Sequence, residues 1–211
     1  MTMTIENPYW DAVREIPADL IQNAFGGDRP WRPATFELSP FKDHRTELTK
    51  TYAWAIPDPE ALRYVVEASC GRLVEIGAGT GYWAQQLSAL GVDVVAYDIA
   101  PPDGGVKNHW HAKRDETFHA VLRGDASYAA LHEDRTLFLC WPPYADPMAS
   151  KALHAYRGAR LIYIGEGSGG CTGDDAFHRY LRRCWINVGR FAVTQWSGLH
   201  DEIAVYERKK K

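Results

Sequence analysis

Three glycines at alternate positions, Gly77, Gly79 and Gly81, follow directly on the apolar run Leu73-Val74-Glu75-Ile76, whose only charged residue is Glu75. Glycine has no Cβ, so a turn built from this triplet lets the backbone approach a ligand closely. Residues 83–90 have helical spacing and stop at Gly91. A helix starting there aims free N–H groups, and the positive end of its dipole, at whatever the turn holds. Gly77, Ala78, Gly79, Gly81 and Tyr82 are therefore candidate ligand contacts. The spacing G-x-G-x-G differs from the G-x-G-x-x-G of dinucleotide sites. Glu75, two residues ahead of the first glycine, suits a ligand carrying an ammonium group better than one carrying a pyrophosphate.

A second acidic residue closes the next segment. Residues 92–98 read as a buried strand rich in β-branched side chains, ending on Asp98 with Ile99 beside it. Asp98 lies 98 − 77 = 21 positions beyond Gly77, where a doubly wound fold places its acceptor for ribose hydroxyls. A third acid, Asp125, precedes Ala126 and a short helix at 127–131, and it suits the helix N-cap.

Glu75-x-Gly77-x-Gly79-x-Gly81 resembles the acidic-x-G-x-G-x-G first motif of the class I S-adenosylmethionine-dependent methyltransferases. The resemblance implies S-adenosyl-L-methionine as cofactor. Glu75 would hold the ammonium end of its methionine moiety, and the backbone of 77–81 would approach it. Asp98 and Ile99 would lie at the ribose, and Asp125 and Ala126 at the adenine.

On the acceptor side, Cys140-Trp141-Pro142-Pro143-Tyr144 resembles the Asx-Pro-Pro-Tyr/Phe motif of amino-group N-methyltransferases, with Trp141 in the Asx place. An indole N–H donates but offers no oxygen acceptor, so the usual grip on a target amine is lost. What remains is a flat aromatic floor, with Trp141 and Tyr144 as candidate contacts for a planar acceptor. Glu166, set among glycines at 165–170, is a candidate general base. His109, His111 and His119 lack the spacing of a metal site, so no metal is expected. The eight tryptophans show no simple spacing that would make them a cage.

The elements needed to position these residues are those of an α/β fold, a doubly wound, mostly parallel seven-stranded sheet with a C-terminal antiparallel hairpin. Beyond the first two strands, a third is expected within 115–122, a fourth at 135–141 and a fifth at 159–165. The last two, at 188–196 and 202–207, are joined by a hairpin-like connection. Helices are expected at 59–67, 148–156 and 174–185. The resemblance covers about 58–207 and implies the strand order 3-2-1-4-5-7-6. Residues 58–211 form the cofactor-binding domain in this reading. Residues 1–57, proline-rich with one helix expected at 8–25, form a helical and irregular extension or a lid, with Tyr52 and Trp54 placed to touch cofactor.

A length of 211 residues, 45% of them hydrophobic, suits one full core and no more than a small appendage. No apolar run is long enough to cross a bilayer. The start of the chain lacks a secretory signal, and Cys70, Cys140, Cys171 and Cys184 lack paired spacing, which points to free thiols and the cytoplasm. A net charge of −3 provides no broad basic face for nucleic acid, so a small-molecule acceptor is favoured. The alternatives are a nucleic-acid or protein amino-group methyltransferase with a degenerate motif, a dinucleotide-dependent oxidoreductase and a non-catalytic cofactor-binding module. Oligomeric state is left open.

Overall fold

The computed structural model describes residues 5–16, 21–22, 42–105, 108–111 and 116–210. In chain order its main elements are α1 (Pro8–Arg14), β1 (Ile21–Gln22), α2 (Lys42–Thr51), α3 (Pro59–Ala68), β2 (Arg72–Ile76), α4 (Tyr82–Ala89), β3 (Asp93–Asp98) and β4 (Val121–Arg123). After them come β5 (Thr136–Cys140), α5 (Met148–Ala155), β6 (Arg160–Gly165), α6 (Asp175–Cys184), β7 (Trp185–Ala192), β8 (Gln195–Trp196) and β9 (Glu202–Arg208). Seven strands form one sheet in the order β4-β3-β2-β5-β6-β9-β7. Renumbered by appearance within that sheet, this is 3-2-1-4-5-7-6, the expected order. The first five strands run parallel, and β9 is antiparallel to both β6 and β7.

Side chains of a strand alternate between faces, so each central strand feeds two cores. Leu137 and Leu139 of β5 join Val74, Leu153, Phe177 and Leu181 on the face covered by α5 and α6. Phe138, between them, joins Leu73, Ile162, Val65, Trp83 and Leu87 under α3 and α4. Strands buried on both faces need near-continuous apolar runs, and β5 and β6 supply them.

Cap residues tie the N-terminal segment to this frame. The Asn7 side chain accepts from Trp10 N at 3.1 Å to start α1, while its Nδ2 donates to the Pro57 carbonyl at 2.7 Å. Asp58 caps α3 through Ala61 N at 2.8 Å, and its other oxygen accepts from Thr194 N at 2.8 Å. Each cap is followed by proline at the first helical position, where no N–H is required.

Several boundaries differ from expectation. The third strand is only Val121–Arg123, at the end of the expected stretch. The sixth strand begins at Trp185 and stops at Ala192, so the helix expected to reach 185 ends at Cys184. Residues 195–196 leave the main sheet and pair with Ile21 and Gln22 instead. The N-terminal helix ends at Arg14 rather than continuing to 25; of the rest of that stretch, 17–20 and 23–25 lie outside the described residues. Helix α2 was not expected from its polar sequence. It packs through Leu48 and the buried Thr49. Among the described residues no helix is long and apolar enough to cross a membrane.

Candidate active site

A cavity of about 990 Å³ opens at the carboxyl ends of the central strands, where Ile76, Asp98 and Cys140, the last residues of β2, β3 and β5, all line it. Beyond β2 the chain turns because Gly77 N and Ala78 N both donate to the Tyr97 carbonyl, at 2.8 and 2.9 Å. Gly77, Gly79 and Gly81 all have left-handed φ, at 80°, 54° and 75°. Their surroundings differ, however. A Cβ on Gly77 would meet Met148 Cε at 2.8 Å, and one on Gly81 would meet Val121 Cγ2 at 2.8 Å and the His119 backbone at 3.2 Å. On Gly79 its nearest neighbour would be 3.7 Å away, in space open to the cavity.

Gly79 N donates to Asp98 Oδ2 at 2.8 Å, and Ala100 N donates to Oδ1 at 2.9 Å. The carboxylate is thus fixed at the cavity wall with lone pairs to spare. Glu75 is 2% exposed, yet it lines the same cavity and its Oε2 has no hydrogen-bond partner. Burial, with the Asp98 charge adding to it, pushes its carboxyl up to about 8. Asp125 caps the turn Ala126–Leu131, its Oδ1 accepting from Ser127 N at 2.8 Å and Ser127 Oγ at 2.5 Å. Those bonds hold its carboxyl below the usual range. Asp125, Ala126, Ala78 and the exposed Ile99 all line the cavity.

Two expected contacts lie elsewhere. Gly81 is not part of the lining and packs against the third strand. Tyr82 is buried behind the loop, its hydroxyl donating to Asn7 Oδ1 at 2.9 Å and accepting from Tyr9 N at 3.2 Å. Its ring meets Tyr52 and Phe118 edge-on, with centroids 4.9 and 4.8 Å away, so it anchors the N-terminal segment.

At the other end of the cavity stand Trp141 and Tyr144. Trp141 has a left-handed φ of 51°, and its Nε1 donates to both Asp201 oxygens at 2.9 Å. Its ring stacks on Trp54 with centroids 5.2 Å apart. The Pro142 carbonyl accepts from Gly173 N at 2.9 Å, so it is already engaged. Asp201 is buried, and burial, aided by the Glu166 charge and opposed by the indole hydrogen bond, pushes its carboxyl up to about 7.

Glu166 does not line the cavity. Its Oε2 accepts from Cys171 N at 2.6 Å and its Oε1 from His200 N at 2.8 Å, so it cross-links two loops. Burial alone would push the carboxyl up, but these bonds outweigh it and hold it below its ordinary value. A carboxylate with both oxygens engaged and no face on the cavity is not placed as a general base. Cys171 and Cys140 do line the cavity. Burial, and for Cys171 a bond to Glu166, raises Cys171 to about 12 and Cys140 well above its ordinary value, so both stay thiols. Among the described residues no group of three or more His, Cys, Asp or Glu could hold a metal. His111 instead pairs with Asn108 Nδ2 through Nε2 at 2.7 Å.

Trp54 and Tyr52 line the cavity, as their sequence position suggested. Met148 and the buttress Asp201 carried no sequence signal, because neither residue type marks a site until the fold brings it there.

No family model matches the chain, and no curated protein matches it in sequence. Among solved structures, N-methyltransferase NodS from Bradyrhizobium japonicum WM9 superposes with a TM-score of 0.50 at 15% identity, covering 83% of this chain and 100% of that one. The chain shares with that protein a Rossmann-like α/β fold. An S-adenosylmethionine-dependent methyltransferase from Anabaena variabilis ATCC 29413 gives a TM-score of 0.49 at 9% identity, covering 87% of this chain and 100% of that one. An rRNA methylase from Streptococcus thermophilus gives 0.46 at 14%, covering 73% and 97%. At such identities the likeness is one of fold.

Proposed function

We propose that this protein is an S-adenosylmethionine-dependent methyltransferase acting on a small, planar acceptor. The observation that carries the reading is Glu75, a buried carboxyl with a partnerless oxygen at the wall of a cavity, beside a glycine loop open to that cavity. A buried acid without a counter-charge is unfavourable, and an ammonium group placed there would remove the penalty. The cofactor's α-ammonium is such a group. Asp98 would accept from its ribose hydroxyls, the Ala78 and Gly79 backbone would pass close to it, and Asp125 with Ala126 would border the adenine.

When bound, the cofactor supplies a methyl group on a positively charged sulfur. The chain's own contribution is positioning and exclusion of water. Trp54 and Trp141, stacked on each other, wall the cavity on the acceptor side. Residues 1–57 act in this reading as an extension closing the site over the domain formed by 58–211. A volume of about 990 Å³ is at the upper end of the roughly 300–1,000 Å³ typical of small-molecule sites, which leaves space for an acceptor beside a cofactor. An amino-group acceptor gripped in the Asx-Pro-Pro manner is disfavoured, since Trp141 donates to Asp201 and the Pro142 carbonyl is taken by Gly173.

Calorimetric titration with S-adenosylhomocysteine and, separately, with NAD tests the proposal. Binding of the first but not the second is expected, with loss of binding in Asp98→Ala. Equal affinity of Asp98→Ala and wild type would overturn it.

A further inference from the structure

Three tryptophans far apart in sequence meet at the acceptor end of the cavity. Trp54 and Trp141 stack with interplanar angle 21°, and Trp110 stands edge-on to Trp54 at 77° with centroids 5.5 Å apart. All three line the cavity, so their rings form a corner of perpendicular indole faces and edges. The Arg45 guanidinium stands 6.0 Å from the Trp54 ring centroid, a distance at which cation–π attraction acts. Behind the corner, both oxygens of the buried Asp201 accept the Trp141 N–H. Such an arrangement holds onium ions by cation–π attraction, which is strongest on tryptophan and in desolvated sites.

We infer that the acceptor is a tertiary nitrogen, in a planar ring or an amine, whose methylation yields an onium cation held by Trp54, Trp110 and Trp141. This rests on the methyltransferase reading above. The nitrogen lone pair forms the new N–C bond as the carbon–sulfur bond breaks, and the electron pair of that bond goes to sulfur. Positive charge passes from sulfur to nitrogen and no proton leaves, so the reaction requires no general base. Glu166, which is turned away from the cavity, is therefore not needed for the transfer.

The test is a titration of the protein saturated with S-adenosylhomocysteine, using N-methylquinolinium, its neutral isostere 1-methylnaphthalene, and tetramethylammonium, followed by tryptophan fluorescence and calorimetry. N-methylquinolinium should bind at least about tenfold more tightly than 1-methylnaphthalene. Trp110→Leu, a change at a half-exposed ring outside the core, should reduce that preference about threefold or more, and Trp54→Leu should reduce it further. Binding of tetramethylammonium as well would extend the acceptor to amines, whereas N-methylquinolinium alone would restrict it to ring nitrogens. Equal affinity for cation and isostere, or an undiminished preference in Trp110→Leu, would overturn the inference. Failure of S-adenosylhomocysteine to bind at all would instead overturn the methyltransferase reading, so the two failures are distinct.

Discussion

Cofactor binding should release a proton from Glu75. With its carboxyl near 8, about 0.9 of the molecules carry that proton at pH 7. An ammonium held against the carboxyl favours the ionised form, so each binding event at pH 7 should expel close to one proton. Affinity should then fall about tenfold for each pH unit below 8, until the carboxyl of the complex itself titrates. Glu75→Gln removes both the charge and the proton. At pH 8 it should weaken binding by the value of one charge-assisted hydrogen bond, about 1.5–3 kcal/mol. At pH 6 the wild type must first ionise Glu75 at a cost of about 3 kcal/mol, so the two proteins should converge there. Calorimetry with S-adenosylhomocysteine at pH 6, 7 and 8, in buffers of different ionisation enthalpy, measures affinity and proton count together. If wild type releases no proton at pH 7, or if Glu75→Gln keeps the wild-type pH dependence, then Glu75 is not the ammonium partner.

The same carboxyl affects stability in the ligand-free protein. Glu75 and Asp201 are both raised on folding, from 4.5 to about 8 and from 3.8 to about 7, so the folded state holds protons the unfolded chain has lost. Their stabilisation is complete below pH 4 and is lost as pH rises through 7 and 8; thermal melts should show stability falling between pH 5 and 8, with a shallower fall in Glu75→Gln. Gly79→Ala should cost only about 1–2 kcal/mol, the penalty of a left-handed backbone, while obstructing the cofactor. Gly81→Ala should unfold the protein more readily, because its Cβ meets the His119 backbone; chemical denaturation separates the two. Glu166→Ala should leave S-adenosylhomocysteine affinity within about twofold and lower the melting temperature, since the Cys171 and His200 N–H groups would lose their acceptor at about 1–3 kcal/mol each. A large loss of affinity with unchanged stability would restore Glu166 to the site.

Where structure follows from neighbours along the chain, the sequence was enough. The strand-turn-helix from Leu73 to Ala89 depends on apolar alternation, on glycines that permit positive φ and on a helix that starts where they end. Asp125 caps the element that follows it because an N-cap needs only the N–H groups two or three residues on. Alternation of strands and helices, with a closing antiparallel pair, points to a mostly parallel sheet, whereas its strand order is implied only by the family resemblance. The place of Tyr82 at a helix start says nothing of which side its ring takes; Asn7 and Tyr9, more than seventy residues away, hold it behind the loop. Glu166 had the composition of a base, and only the packing of the Cys171 and His200 loops used up both its oxygens. The indole of Trp141, which stands in the Asx place, has its partner in Asp201, sixty residues on. Local hydrogen bonds and backbone sterics are written in consecutive residues, so sequence alone determined the loop and the alternation of strands and helices. Burial, and the charge and orientation it imposes, is a property of what packs around a residue, so only the tertiary structure decided which side chains face the cavity.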